Sequence, residues 1–255
     1  MQRIRIHRHR VRRERPWHDV VPPDNVRIYH FASTQHVGVN ATMPKGLCAT
    51  APNTPTDYFP LMRAMLVNLD RWVKDGVAPP PNRYPRIDDG TLVAAIAPAG
   101  NVPGLPVARP NGRPRMDYGP DFAKGIIGDV LPVAFTDSYS VLLPKVDADG
   151  NEIGGLRLPT VAVPVGTATG WSVRAQNSGG AGELCYLDGL YIPFAKTKAE
   201  REASGDSRPS LEERYRDHAD YAAKIEQAAI ALARERYLLD EDVKRIVAQA
   251  SSANW

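Results

Sequence analysis

The sequence predicts a mixed α/β fold, and two neighbouring stretches with different periods carry that prediction. Val26-Arg27-Ile28-Tyr29-His30-Phe31-Ala32 is short and rich in β-branched and aromatic residues, and Pro22-Pro23-Asp24-Asn25 precedes it as a turn precedes a strand. From Asp57 onward, Leu61, Met62, Met65, Leu66, Leu69, Trp72 and Val73 recur at three- and four-residue steps, which places them on one helical face. Thr56 or Asp57 can cap the start of this helix, and Gly76 can end it in a left-handed conformation. His36 lies just past the strand, and from there to Pro55 the chain is rich in Gly, Pro, Asn and Thr, breaking both periods. Strand ends of open α/β sheets are where functional groups collect.

At 255 residues with 43% hydrophobic side chains, the chain can bury a sizeable core as one large domain or two small ones. No apolar run approaches the about 20 residues that a bilayer span needs. The arginine-rich start has no apolar signal-peptide centre, so as written the chain reads as cytoplasmic with no membrane partner. Cys48 and Cys185 lie outside any C-x-x-C or Cys/His cluster, so neither a zinc site nor a disulfide framework is indicated. Both read as ordinary buried or loop cysteines. The 23 prolines are about twice the usual share, which argues for short strands and long ordered loops.

Residues 1–15 hold seven arginines against the single acid Glu14, a local charge of +6, which leaves −3 for the rest of a chain whose net charge is +3. The basic pI of 8.8 thus belongs to the tail, and nucleic-acid binding by the folded part is not expected. The tail itself reads as a solvated, disordered segment. A phosphate-gripping arm would want interleaved aromatics before Trp17, and a metal would want a third ligand beside His7 and His9. A third reading is that this stretch is foreign to the fold, because its Arg/His monotony stops abruptly at Asp19.

The central stretch carries a family likeness. Arg27-Ile28-Tyr29-His30-Phe31-Ala32 and Thr34-Gln35-His36, then Asp57-Tyr58, Pro60-Leu61, Arg63-Ala64, Leu69-Asp70-Arg71-Trp72 and Pro79-Pro80-Pro81-x-Arg83-Tyr84-Pro85, resemble a bacterial family of α/β-hydrolase domain-containing proteins. The likeness continues through Gly189-Leu190-Tyr191-Ile192-Pro193-Phe194-Ala195 and Arg208-Pro209-Ser210-Leu211-Glu212-Glu213-Arg214-Tyr215, covering nearly everything after about residue 20. It implies the last strand, histidine loop and final helix of an α/β-hydrolase, with His36 as general base. Such an enzyme also needs a serine strained onto a G-x-S-x-G turn, followed in chain order by an acid and then the histidine. The sequence contains no such pentapeptide. Gly205-Asp206-Ser207-Arg208 and Ser178-Gly179-Gly180 come nearest and lack the second glycine or the flanking strand. Because His36 comes so early, the serine and acid are expected upstream of this chain, which then reads as the C-terminal part of a larger hydrolase.

Beyond Gly76, prolines at 79–81, 85, 98, 103, 106, 110, 114 and 120 forbid long helices and central strands, leaving a wrapping segment with local docking at Thr91-Leu92-Val93 and Ile126-Ile127. Tyr139–Val146 and Ile153–Val165 read as strands joined at Asp149-Gly150, a hairpin signal. The acidic linker between them departs from a calcium loop in the positions of its glycine and glutamate. Asn177–Gly182 lacks P-loop and dinucleotide spacing and reads as a flexible turn. Thr197–Ala203 reads as a short helix closed by Gly205. Ser210 and Glu213 form a capping box that opens a long helix to about Arg236, and Asp240 caps a last one. The expected organisation is therefore a basic tail at 1–19, the hydrolase strand-loop-helix at 20–76, a Pro-rich wrapping segment with a hairpin at 77–195, and terminal helices at 196–255.

His30 alternates with Ile28 and Ala32 and reads as structural; His218 lies on a charged helix face and reads as solvated. His36 is the single candidate catalytic residue, and no metal or cofactor is expected. Two functions follow. The chain is part of a serine-type hydrolase acting on small ester-like substrates and inactive alone, or it is a non-catalytic fragment that works by associating with a partner chain, for which an unpaired sheet edge at Val26–Ala32 is available.

Overall fold

The computed structural model describes residues 18–36, 48, 56–94, 102–106, 113–114, 118–127, 138–139, 141–177, 179–185 and 188–253. Residues 1–17 of the basic tail, with His7 and His9, lie outside them. The tail's expected end is corrected, because Asp19 is pinned. Its carboxylate accepts the backbone N–H groups of Asp88 and Ile87 at 2.9 and 3.2 Å and pairs with Arg86 at 3.3 Å.

Val26–Ala32 runs extended, yet Tyr29 and Phe31 form only isolated parallel bridges, to Arg83 and Leu156. Ile28 C=O and His30 N–H bond to Arg83, while His30 C=O and Ala32 N–H bond to Leu156, at 2.7–3.0 Å. Only even-numbered residues take part. Successive residues of an extended chain direct their backbone groups to opposite edges, so Arg83 and Leu156 share one edge. The other edge presents the N–H and C=O of Tyr29 and the N–H of Phe31, none of which has a partner among the described residues.

Helix α1 spans Phe59–Asp75, with Pro60 in its first turn and Gly76 closing it at φ 70° by donating to the carbonyls of Arg71 and Trp72. It buries Pro60, Leu61, Ala64 and Asn68. Here the expected single stripe is corrected: Met62, Leu66, Leu69 and Val73 face outward, Leu66 and Val73 being 67% and 78% exposed. Apolar residues cover more of the cylinder than one packed face can hide, and Asn68 goes inside because its amide satisfies Arg236 C=O at 2.7 Å.

The Pro79–Pro81 run lacks donors but offers carbonyls. Tyr29 donates to Pro80 C=O at 2.7 Å and Tyr237 to Pro81 C=O at 2.8 Å, which fastens the run beside the extended segment. Downstream the proline content keeps strands to two or three residues: β1 Leu92–Val93, β2 Arg113–Pro114, β3 Ser138–Tyr139 and β4 Leu143–Pro144, with one 3-10 turn at Phe122–Lys124. β1 pairs with β4 and β2 with β3. Val146 and Glu152 bridge across the Asp149-Gly150 turn, with Gly150 at φ 83°. Ile153–Val165 is not a strand. Pro159 opens a short helix, α2 (Pro159–Ala162), so pairing resumes only at β5 (Gly166–Ala168).

β6 (Ser172–Val173) pairs with β7 (Leu184–Cys185), and β5 with β8 (Tyr191–Pro193), so the described strands form four two-stranded pieces. Arg208, 2% exposed, ties β8 to the turn between the first two terminal helices. It pairs with Asp206 and donates to Thr167 Oγ1 at 2.8 Å and Ile192 C=O at 2.9 Å.

The terminal helices are α3 (Lys198–Ser204), α4 (Leu211–Arg214), α5 (His218–Arg234) and α6 (Asp240–Ser252). Thr197/Glu200 and Ser210/Glu213 both form capping boxes. The single long helix expected from Ser210 is broken at Tyr215–Asp217. Tyr215 turns extended to donate its hydroxyl to Pro164 C=O at 2.7 Å, and Asp217 caps a new helix by accepting Asp220 N–H at 2.7 Å. Leu61, Leu156, Leu158, Phe194, Ile225, Tyr237 and Ile246 join these layers in one core. The buried Asp242 carboxylate and Arg63 link α6 to α1. His218, expected on a solvated face, is half-buried beside Tyr221.

Cys48 and Cys185 are not independent: they form a disulfide across 137 residues. Their separation along the chain said nothing of their separation in space.

Candidate active site

The site grows from the end of the extended segment. Ala32 is fully buried, and Ser33 reverses the chain at φ 57°, a conformation costly for any residue with a Cβ. What holds it there is Glu152, whose carboxylate accepts Ser33 N–H at 2.8 Å while its backbone N–H donates to Ser33 Oγ at 2.9 Å. The same carboxylate oxygen takes His30 Nε2 at 2.8 Å. Gly155, at φ 89°, lets the chain pass His30, since a Cβ there would lie 2.4 Å from His30 C=O. His30, Ser33 and Glu152 thus make a structural clasp. Ser33 has a positive φ, but its side chain is buried and its oxygen engaged. Sequence reasoning found His30 and missed Glu152, 122 residues away, and the strain at Ser33.

The clasp delivers His36 to the surface. Gln35 is 6% exposed and its Oε1 accepts Gly189 N–H at 3.1 Å; Thr34 passes so close to Gly170 that a Cβ there would meet its carbonyl at 2.7 Å. Tyr58 stacks on Phe31 and donates its hydroxyl to His36 C=O at 3.0 Å. Twelve positions further on, Cys48 is held by its disulfide to Cys185 in β7 and by an antiparallel bridge to Arg174, just after β6. His36 is therefore fixed by its backbone while its imidazole is exposed, and among the described residues no hydroxyl or carboxylate hydrogen-bonds to the ring. Such a ring can take a proton from a nucleophile brought to it, and no such nucleophile stands beside it in the described part of the chain. Among the described residues no cluster of three His, Cys, Asp or Glu side chains could hold a metal ion.

Thr56 and Asp57, immediately before Tyr58, line a cavity of about 300 Å³ bounded by α1, α2, β5, β8, α5 and α6. Burial pushes the phenol of Tyr191 up and that of Tyr221 up to about 12, as expected of a poorly hydrated wall. No periodic signal marks this cavity, because each lining residue also reads as ordinary core.

A family model described as "Alpha/beta hydrolase domain" matches residues 9–248, and the chain belongs to that family. The match begins inside the basic segment. Searches of curated proteins and of solved structures returned no match. No helix among the described residues is long and apolar enough to cross a membrane.

Proposed function

We propose that this chain is the C-terminal part of a serine-type hydrolase acting on small ester-like substrates, supplying His36 as general base and depending on an upstream or separate polypeptide segment for serine and acid. The observation that carries this reading is an exposed, backbone-clamped His36 at the end of an extended segment on whose outer edge the backbone groups of Tyr29 have no partner among the described residues. In the completed site the imidazole would accept the serine proton as the hydroxyl attacks the acyl carbon, then return it to the leaving alcohol. The acid would hold the other ring nitrogen.

The open edge and the outward stripe of α1 together suit a second chain better than water. That supports the alternative in which this chain has no chemistry of its own and works only through association.

A fluorophosphonate probe separates the readings. The isolated chain should show no saturable single-site serine labelling and no esterase activity above background, since it has a base and no activated serine. Joined to the upstream region, a serine outside this chain should label. Single-site labelling of a serine within residues 18–253 would overturn the proposal; an assembled protein that never labels would favour the accessory reading.

A further inference from the structure

The cavity beside the histidine loop has the chemistry of a binding site for one class of ligand. Its interior is closed by Leu158, Val165, Ala168 and Ala250, apolar and almost all deeply buried, while Asp57, Arg245 and Gln249 stand at its polar side. The polar groups nearest the loop are already committed. Asp57 accepts Phe59 N–H at 3.0 Å, and Thr56 Oγ1 donates to Ser33 C=O at 3.3 Å. Arg245 and Gln249 are exposed residues, so the deeper wall is mainly apolar, and an apolar ligand would lose nothing by entering it.

The cavity is also mechanically continuous with the site. Thr56 touches Ser33, Asp57 lines the cavity, and Tyr58 holds His36, so three consecutive residues join the wall to the base. A chain seated in the cavity would lie against Thr56, which bonds to Ser33 C=O three residues before His36.

We propose that this cavity binds a straight aliphatic chain, the acyl or alkyl portion of an ester substrate. Its role as part of a substrate rests on the hydrolase reading; the binding does not. With about 30 Å³ for each small group, a volume of about 300 Å³ accommodates about ten non-hydrogen atoms, which sets the ligand as a medium-length chain and excludes a sterol or a long acyl chain held full length.

The test uses the full chain and straight 1-alkanols from four to ten carbons, read by saturation-transfer NMR and thermal shift. Affinity should rise about fourfold for each added CH₂ and level off near nine carbons. Gln249→Trp plugs the site from an exposed helix position without disturbing the core, and Ala250→Phe fills it from within; each should weaken 1-octanol binding at least tenfold. Leu66→Lys on the outward α1 stripe is the control and should leave binding unchanged. Unaltered binding in Gln249→Trp with binding lost in Leu66→Lys would place the alkanol on the helix surface and overturn the proposal, as would an affinity that ignores chain length. In the completed enzyme Gln249→Trp should shift preference from octanoate towards acetate esters. Alkanol binding with no turnover in any assembly would sink the hydrolase reading and leave the site standing.

Discussion

At the scale of single residues, His30 and His36 differ in what holds them. His30 gives its ring to Glu152 and helps hold Ser33, so His30→Gln should lower the melting temperature and, in an assembled enzyme, leave turnover of the folded fraction nearly unchanged. Among the described residues, none makes such a bond to the ring of His36. His36→Ala should keep the melting temperature and cut turnover by roughly three to six orders of magnitude. Retained turnover would end its assignment as the base. Asp206 and Arg208 make a second residue-scale case. Burial alone would raise the Asp206 carboxyl, but the hydrogen bonds and charge of Arg208 outweigh it and hold it below its ordinary range. A carboxyl whose folded pKa is depressed stabilises the fold above its unfolded value, about 3.9, and that contribution fades as pH falls through the folded pKa. Arg208→Met strands a buried carboxylate and should cost about 3–5 kcal/mol at pH 7. At pH 3 the gap from the parent should narrow, because the unpaired carboxyl is then neutral. Urea unfolding at both values checks this; an equal gap at each would mean that the ion pair is not what Arg208 provides.

Among the elements, the outward stripe of α1 invites the clearest test. Replacing Leu66 and Leu69 by Lys and Glu removes no core contact, so stability should change by no more than about 0.5 kcal/mol per site. Association should be lost. The parent chain is expected to self-associate on size exclusion and the double variant to run as a monomer; a clean monomer from the parent would remove the reason to call this face an interface. The same helix shows what the sequence makes legible. Its start falls at Phe59, capped by Tyr58 with no side-chain bond rather than by Thr56 or Asp57, whereas its glycine stop and the Ser210/Glu213 capping box near the C-terminus were readable because each depends on residues a few positions apart. Its orientation was not, since periodicity locates an apolar face without saying what covers it. The helix break at Tyr215 was hidden for a related reason: a hydroxyl bond to Pro164, 51 residues back, overrides a continuous helical pattern. At the candidate site, His36 is singled out in the sequence by its place after a strand-like stretch, whereas Glu152, the Gly189 contact of Gln35 and the cavity depend on parts of the chain that meet only after folding.

For the molecule as a whole, the Cys48–Cys185 bond joins the histidine loop to the β6–β7 hairpin, and closing so long a loop removes much freedom from the unfolded chain. Reduction, or Cys185→Ser, should cost about 2–4 kcal/mol, read as a lower urea midpoint in the presence of reductant. Two alkylatable thiols in protein purified without reductant, and no shift on adding it, would show that the bond does not form. A disulfide of this kind persists in oxidising surroundings and is opened where thiols are kept reduced. It also imposes a schedule on synthesis. Ribosomes deliver about 5–20 residues each second, so with the partners 137 positions apart Cys48 waits roughly 7–27 s as a free thiol before its mate exists. During that interval the nascent chain can be captured by any other thiol in reach, and the yield of correctly joined protein should depend on how fast the ribosome moves.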